Sequence, residues 1–222
     1  MTVLHLADEG EAADLAAFLS RLLHYDRGAA VRLQAAGTAL AVFGRPPSFE
    51  VLAIRAVRLA KPYENGLDVT LDVTVSAGEL LESVDESAAT AVVPDAVTGP
   101  PWAGVLPPRG GWRPVPGLPA PDALRAMVGA GVAEFRSRTQ ELAEERRTRA
   151  ELDRIGREIW SRTVGDTHLP VRAVHAAQSL GFLRSTGELA LLSSGAWLRL
   201  RTPYGSIAVR RAGLGALDVS VR

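Results

Sequence analysis

The chain predicts an α+β fold in which antiparallel sheet modules flank a long charged central helix, and three patterns in its 222 residues point there. Toward the N-terminus, Leu67, Val69, Leu71, Val73 and Val75 alternate with Asp68, Thr70, Asp72 and Thr74, the period of a strand with one wet face. Toward the C-terminus, short apolar runs separated by turn residues repeat that strand signal. Between them, Glu134 to Glu158 holds seven acids and seven basic residues with sparse apolar markers, the pattern of an exposed helix. One wet face favours antiparallel pairing over a parallel sheet covered on both sides.

Residues 1–93 form the first α+β module. Val3 to Leu6 reads as a strand. Asp8 then caps a helix whose buried stripe is Leu15, Phe18, Leu19, Leu22 and Leu23, with Gly28 as its stop. Ala29 to Gln34 and Thr38 to Phe43 are two strands joined at Ala36-Gly37. Gly44-Arg45-Pro46-Pro47 ends the second, because proline supplies no ladder donor. Val51 to Leu59 and Leu67 to Val75 add two more, followed by a short helix at Ala77 to Val84.

This order resembles half a domain of the sliding-clamp fold, in which helices line a ring around DNA. The resemblance covers about a third of the chain and implies fold alone. It departs from a clamp in charge, since clamp helices facing DNA are basic and the first helix here begins with Glu9, Glu11 and Asp14.

Nine prolines interspersed with glycines make residues 94–121 a connector or covering loop. Trp102 and Trp112 favour a covering loop, because exposing both rings would forfeit apolar burial; the alternative is a groove they share with Arg109 and Arg113. Residues 122–160 are the long helical segment. Leu124, Met127, Val128, Val132 and Phe135 mark its apolar face, and Gly129 and Gly131 either weaken it or permit close packing. Glu141, Glu144 and Glu145 are set against Arg149, and Glu151 against Arg154. Arg149 falls where Val128, Phe135 and Leu142 would next require an apolar residue, so a coiled coil is not expected. Phe135, Leu142, Leu152, Ile155 and Ile159 are the candidate protein interface, for a partner or a second copy of the chain.

Residues 161–222 comprise a helix, Val171 to Leu180, stopped by Gly181, and then strands at Leu189 to Leu192, Ala196 to Arg201, Ser206 to Arg210 and Leu217 to Val221. Pro203-Tyr204-Gly205 turns between the middle pair. Gly195 to Leu200 echoes Gly28 to Leu33, each run following a helix, as a duplication of α+β modules would produce. The same order permits a winged-helix reading, with Arg172 on the helix and Arg199, Arg201, Arg210 and Arg211 on the wing as candidate nucleic-acid contacts. The formal net charge is zero, but residues 1–99 hold 14 acidic and 7 basic side chains, whereas residues 161–222 hold 3 and 8. Any attraction for a polyanion therefore belongs to the C-terminal part. Lys61 is the one lysine, so the cationic surface is arginine, whose fork suits carboxylate and phosphate.

Chemistry is constrained by what is missing from the sequence. Without cysteine there are no disulfides, thiolate nucleophiles, Cys-ligated zinc or iron–sulfur clusters. No HExxH, GxxxxGK[ST] or GxSxG motif occurs, Ser193-Ser194-Gly195 reads as a turn, and no cofactor is implied. His5, His24, His168 and His175 are scattered, and an enzyme would need to gather His24, His168 or His175 with a carboxylate. No apolar run approaches the length of a bilayer span, and Asp8, Glu9 and Glu11 stand where a secretory signal would be apolar; a cytoplasmic protein is expected. The leading expectation is a noncatalytic interaction or assembly protein, followed by a DNA-binding regulator and then a small-molecule enzyme.

Overall fold

The computed structural model describes residues 2–47, 49–60, 71–184 and 187–211. In chain order its strands are β1 (Thr2–His5), β2 (Ala30–Ala36), β3 (Ala39–Gly44), β4 (Leu52–Arg58), β5 (Asp72–Ser76), β6 (Thr90–Val93), β7 (Arg113–Val115), β8 (Ala190–Ser194), β9 (Trp197–Thr202) and β10 (Gly205–Arg210). Its α-helices are α1 (Glu9–Tyr25), α2 (Ala77–Glu82), α3 (Pro121–Gln140), α4 (Arg149–Trp160) and α5 (Val171–Ser179). Strands β5-β2-β3-β4-β10-β9-β8-β7 form one eight-stranded sheet, antiparallel at every pairing, while β1 pairs separately with β6. The predicted start of the fifth strand at Leu67 and the predicted strand from Leu217 to Val221 lie outside the described residues.

Alternation along the strands separates two cores. The inner face presents Val31 and Leu33 of β2, Leu40 and Val42 of β3, and Ile207 and Val209 of β10, all buried under the helices. Helix α1 contributes Leu15, Phe18, Leu19 and Leu22 from the stripe predicted for it, and Asp8 caps its start by accepting from the Glu11 amide at 2.8 Å. Each such side chain stabilises the fold by roughly 1.5–3 kcal/mol. On the outer face a smaller cluster of Phe43, Leu52, Ile54 and Ala208 is covered by Trp102, Leu106 and Trp197. The Pro-rich segment is thus a strap across the sheet, and Trp112 holds its fold by donating from Nε1 to the Pro108 carbonyl at 3.0 Å.

The two edges of the sheet end differently. On one side β7 is three residues long with Pro114 at its centre. On the other, the Val97 amide donates to the Thr74 carbonyl at 2.9 Å, so the chain itself covers β5.

The predicted single helix over 122–160 is a correction: the chain breaks into α3 and α4, which pack against each other. Thr148 starts α4 by accepting from the Glu151 amide at 3.3 Å, and Arg147 closes the preceding turn by donating to the Gln140 and Leu142 carbonyls, each at 3.0 Å. The break changes which charges meet. Glu151 pairs with Arg154 at 2.6 Å as expected, but Glu141, Glu144 and Glu145 do not pair with Arg149, which lies 3.9 Å from Asp153. Across the hairpin, Arg138 meets Glu158 at 2.5 Å and Arg162 meets Glu134 at 2.5 Å, and Arg162 holds the Glu134 carboxyl below its usual range. Of the two helical glycines, Gly131 matters for packing. A Cβ there would stand 2.8 Å from the Trp160 ring, so its absence lets α4 lie close, whereas Gly129 faces open space.

The N-terminal and C-terminal strand sets join through β4 and β10, in register over Ile54↔Ser206, Ala53↔Ile207 and Leu52↔Ala208. Arg55, 5% exposed, pins this seam. Its Nη1 donates to the Tyr204 carbonyl at 2.7 Å, and its Nη2 donates to Glu11 at 3.0 Å and Asp14 at 3.2 Å, both on α1. Asp14 also accepts from Arg184, whose guanidinium lies 3.7 Å above the Tyr204 ring. Replacing Arg55 with methionine strands two carboxylates beside the seam. Urea denaturation of Arg55→Met is expected to show a loss of about 3 kcal/mol, the cost of breaking a buried pair from one side.

Candidate functional site

Two surfaces collect the predicted residues. The first is a cleft of about 600 Å³ between the turn at Pro47–Glu50 and helices α3, α4 and α5. Leu152, Gly156 and Trp160 recur every four residues and therefore share one face of α4, with glycine making the hollow between the larger side chains. Phe135 of α3 forms the facing wall, and Asp153, Arg157, Ser161, Arg172 and His175 also line it.

Aromatic rings form its floor. Trp160 stacks on His175 with centroids 4.2 Å apart and planes at 29°. Phe49 meets His175 edge-on at 5.0 Å, and Tyr25 meets Phe49 at 5.5 Å. The turn presenting Phe49 holds Glu50 at φ 51°, a left-handed conformation uncommon for a residue with a side chain.

The cations of the cleft are incompletely matched. Arg172 reaches Glu50 only at 3.9 Å, and its buried Nε has no hydrogen-bond partner. Arg157 makes no side-chain ion pair among the described residues. Burial lowers the His175 pKa from its ordinary value, keeping the ring neutral beside these two arginines.

The candidate interface residues divide at this cleft. Phe135 and Leu152 line it, and Leu142 is half-buried at the break between α3 and α4. Ile155 and Ile159 are each 1% exposed, used up inside the chain's own packing. Sequence reasoning missed Phe49 and Trp160; the 152-156-160 spacing was the available signal for Trp160.

The second surface is the outer sheet face. Arg199 and Arg201 of β9 point to it with Arg210 of β10, as the pairings Arg201↔Ser206 and Arg199↔Ala208 require. Arg201 and Arg210 are exposed, whereas Arg199 is half-buried beneath the strap, 5.7 Å from the Trp112 ring. Arg211 donates to the Gly195 carbonyl at 2.7 Å, and Arg172 lies in the helical layer, so the five predicted cations do not form one surface. In place of a helix and wing, α5 packs on the inner face of the sheet against β10. Asp72, on the outer face, pairs with Arg32 at 2.7 Å, which holds its carboxyl below the usual range.

His5, His24 and His168 are exposed on separate segments, and only His175 lines the cleft. Among the described residues no group of three His, Asp or Glu side chains is placed to hold a metal ion. Nor is any described helix long and apolar enough to cross a membrane.

Comparison with known proteins divides the chain within the strap. Residues 1–104 match a domain of unknown function, DUF8010, and residues 107–214 match another, DUF8185. No curated protein sequence matches. The fold resembles the sliding clamp. The DNA polymerase sliding clamp of Pseudomonas aeruginosa superposes with a TM-score of 0.52 at 11% identity, over 98% of this chain and 66% of that one. The H. pylori beta clamp in complex with 5-chloroisatin gives 0.48 at 9%, over 98% and 65%. The chain thus spans slightly less than two thirds of each clamp chain.

Since His175 binds its proton less readily in the fold than in the unfolded chain, the unfolded state takes up more protons between the two pKa values. Stability is therefore full above the ordinary value of about 6.5 and falls as pH drops through that window. In urea titrations at pH 7.5 and 5.5, His175→Gln is expected to lose less stability between the two than the natural chain.

Proposed function

We propose that this is a noncatalytic cytoplasmic interaction protein that seats a short segment of a partner protein in the cleft of Phe49, Phe135, Trp160 and His175. The observation that carries this reading is the combination of an aromatic floor with under-paired arginines at its side. A partner segment with an aromatic or large aliphatic side chain next to an acid matches both features. The ring would supply burial against Trp160, and the carboxylate would satisfy Arg157 or Arg172. An open cleft in which burial favours the neutral form of His175 and the Ser161 hydroxyl donates to the Arg157 carbonyl supports recognition over turnover.

A second reading, contact with duplex DNA, draws on Arg201 and Arg210 sharing the outer face and on the fold of the P. aeruginosa clamp. Against it, α1 begins with the exposed acid Glu9, its Glu11 and Asp14 are engaged by arginines of the chain itself, and Arg199 is turned under the strap. Protein recognition is accordingly the stronger of the two.

A random peptide library selected on the full chain is expected to yield segments pairing an aromatic or large aliphatic residue with Asp or Glu. Their binding is expected to fall about thirty-fold or more with Trp160→Ala, the loss of a ~2 kcal/mol anchor. Arg157→Ala tests the same site from an exposed position that the fold does not need. Peptides that ignore both substitutions, or selection of no peptide, would overturn the cleft reading. Light scattering across concentrations shows whether a second copy is the partner, and salt-dependent binding of duplex DNA would favour the alternative.

A further inference from the structure

Arg199 is an expensive residue in an unexpected place. It sits on β9 facing the outer side of the sheet, half-buried under the strap, and its Nε is inaccessible to solvent without a hydrogen-bond partner. Among the described residues its side chain makes no hydrogen bond and no ion pair. Burial and the neighbouring Arg201 both act against its charged form. The one compensation is the Trp112 ring at 5.7 Å, near the outer limit for a cation–π contact, which is worth about 0.5–1 kcal/mol at such sites. The Nε hydrogen bond is lost on burial, and a ring at that distance does not replace it.

The guanidinium lines a pocket of about 230 Å³ between sheet and strap. Ala39, Ala41 and Ala56 leave the space, Phe43 and Ile54 give it an apolar wall, and Pro107 closes the top. Arg109 stands exposed at the mouth. Gln34, the other polar group, already directs its amide to Asp72 at 3.2 Å.

We propose that this pocket binds a small carboxylate ligand, its anionic end held by Arg199 and its short apolar body lying on the alanines under the strap. One guanidinium fork matches one carboxylate; a phosphate ion could draw on Arg109 at the exposed mouth as well, but would leave uncovered the apolar walls that a short acyl chain would fill. The volume corresponds to roughly eight water molecules, which suits a short acyl chain and is too small for a folded partner. The site lies across the sheet from the aromatic cleft and does not depend on it.

The test uses the full chain with carboxylates from acetate to octanoate, and with hexanamide and inorganic phosphate as controls. Melting temperature and tryptophan fluorescence are the readouts, with Trp112 as the reporter beside Arg199. Hexanoate is expected to saturate and raise the melting temperature, with hexanamide and phosphate at least ten-fold weaker. Arg199→Gln removes a half-buried, unpaired charge, so without ligand it should melt at the same temperature or higher while losing the hexanoate response. Ala41→Leu should fill the pocket and abolish the response with Arg199 intact. Equal binding of hexanoate and hexanamide, or of hexanoate and phosphate, overturns the proposal. So does the absence of saturable binding across the carboxylate series, or an Arg199→Gln protein that melts lower without ligand.

Discussion

Arg55 is the constraint on which the rest of this molecule depends. Among the described residues, three residue pairs between β4 and β10 make the hydrogen-bonded seam between the strand sets. A seam that short is poorly specified by backbone pairing alone. One guanidinium binds the turn after β9 and two carboxylates of α1, so the sheet register and the position of the first helix are fixed together. Arg184 ties Asp14 to Tyr204 and extends the same network across the join. Gly205 supports it sterically. A Cβ there would lie 2.5 Å from the Phe182 ring, so glycine lets that ring sit under the start of β10 and stack at 5.7 Å on Phe18 of α1.

The sequence reveals local structure well and long-range pairing poorly. Period-two alternation located β2 and β5, short apolar runs bounded by turn residues located β3, β4, β9 and β10, and Asp8 and Gly181 marked real helix boundaries. The break between α3 and α4 was harder to see. Helical propensity and opposite charges at three- and four-residue spacing are satisfied equally by one long helix or by two that fold back. The choice rests on Thr148 with Glu151, a short capping signal inside a charged run. The β4–β10 seam was invisible because no local pattern states which strands from distant segments become neighbours.

The candidate site was legible only in part, for a related reason. Phe135 and Leu152 stood out as sparse apolar residues on charged helices, and both line the cleft. Ile155 and Ile159 stood out equally, but they turn inward toward the core. Phe49 comes from a turn more than eighty residues earlier in the chain than its neighbour Phe135, a proximity that composition and spacing do not record. The five arginines looked alike in sequence. Tertiary structure divides them into exposed, hydrogen-bonded and half-buried charges with different consequences.

The ends of the large sheet bear on how copies of this protein meet. At β7 the ladder runs out at Pro114, and at β5 the main chain around Val97 has already taken a bonding position. A sheet closed at both margins gives a neighbouring chain little to extend. Contacts at these two margins find few free main-chain groups, so the side-chain surfaces of the sheet's faces offer the larger area for association, where composition sets selectivity. The common route to disordered fibrous association, templating on a bare strand, is largely shut along these margins.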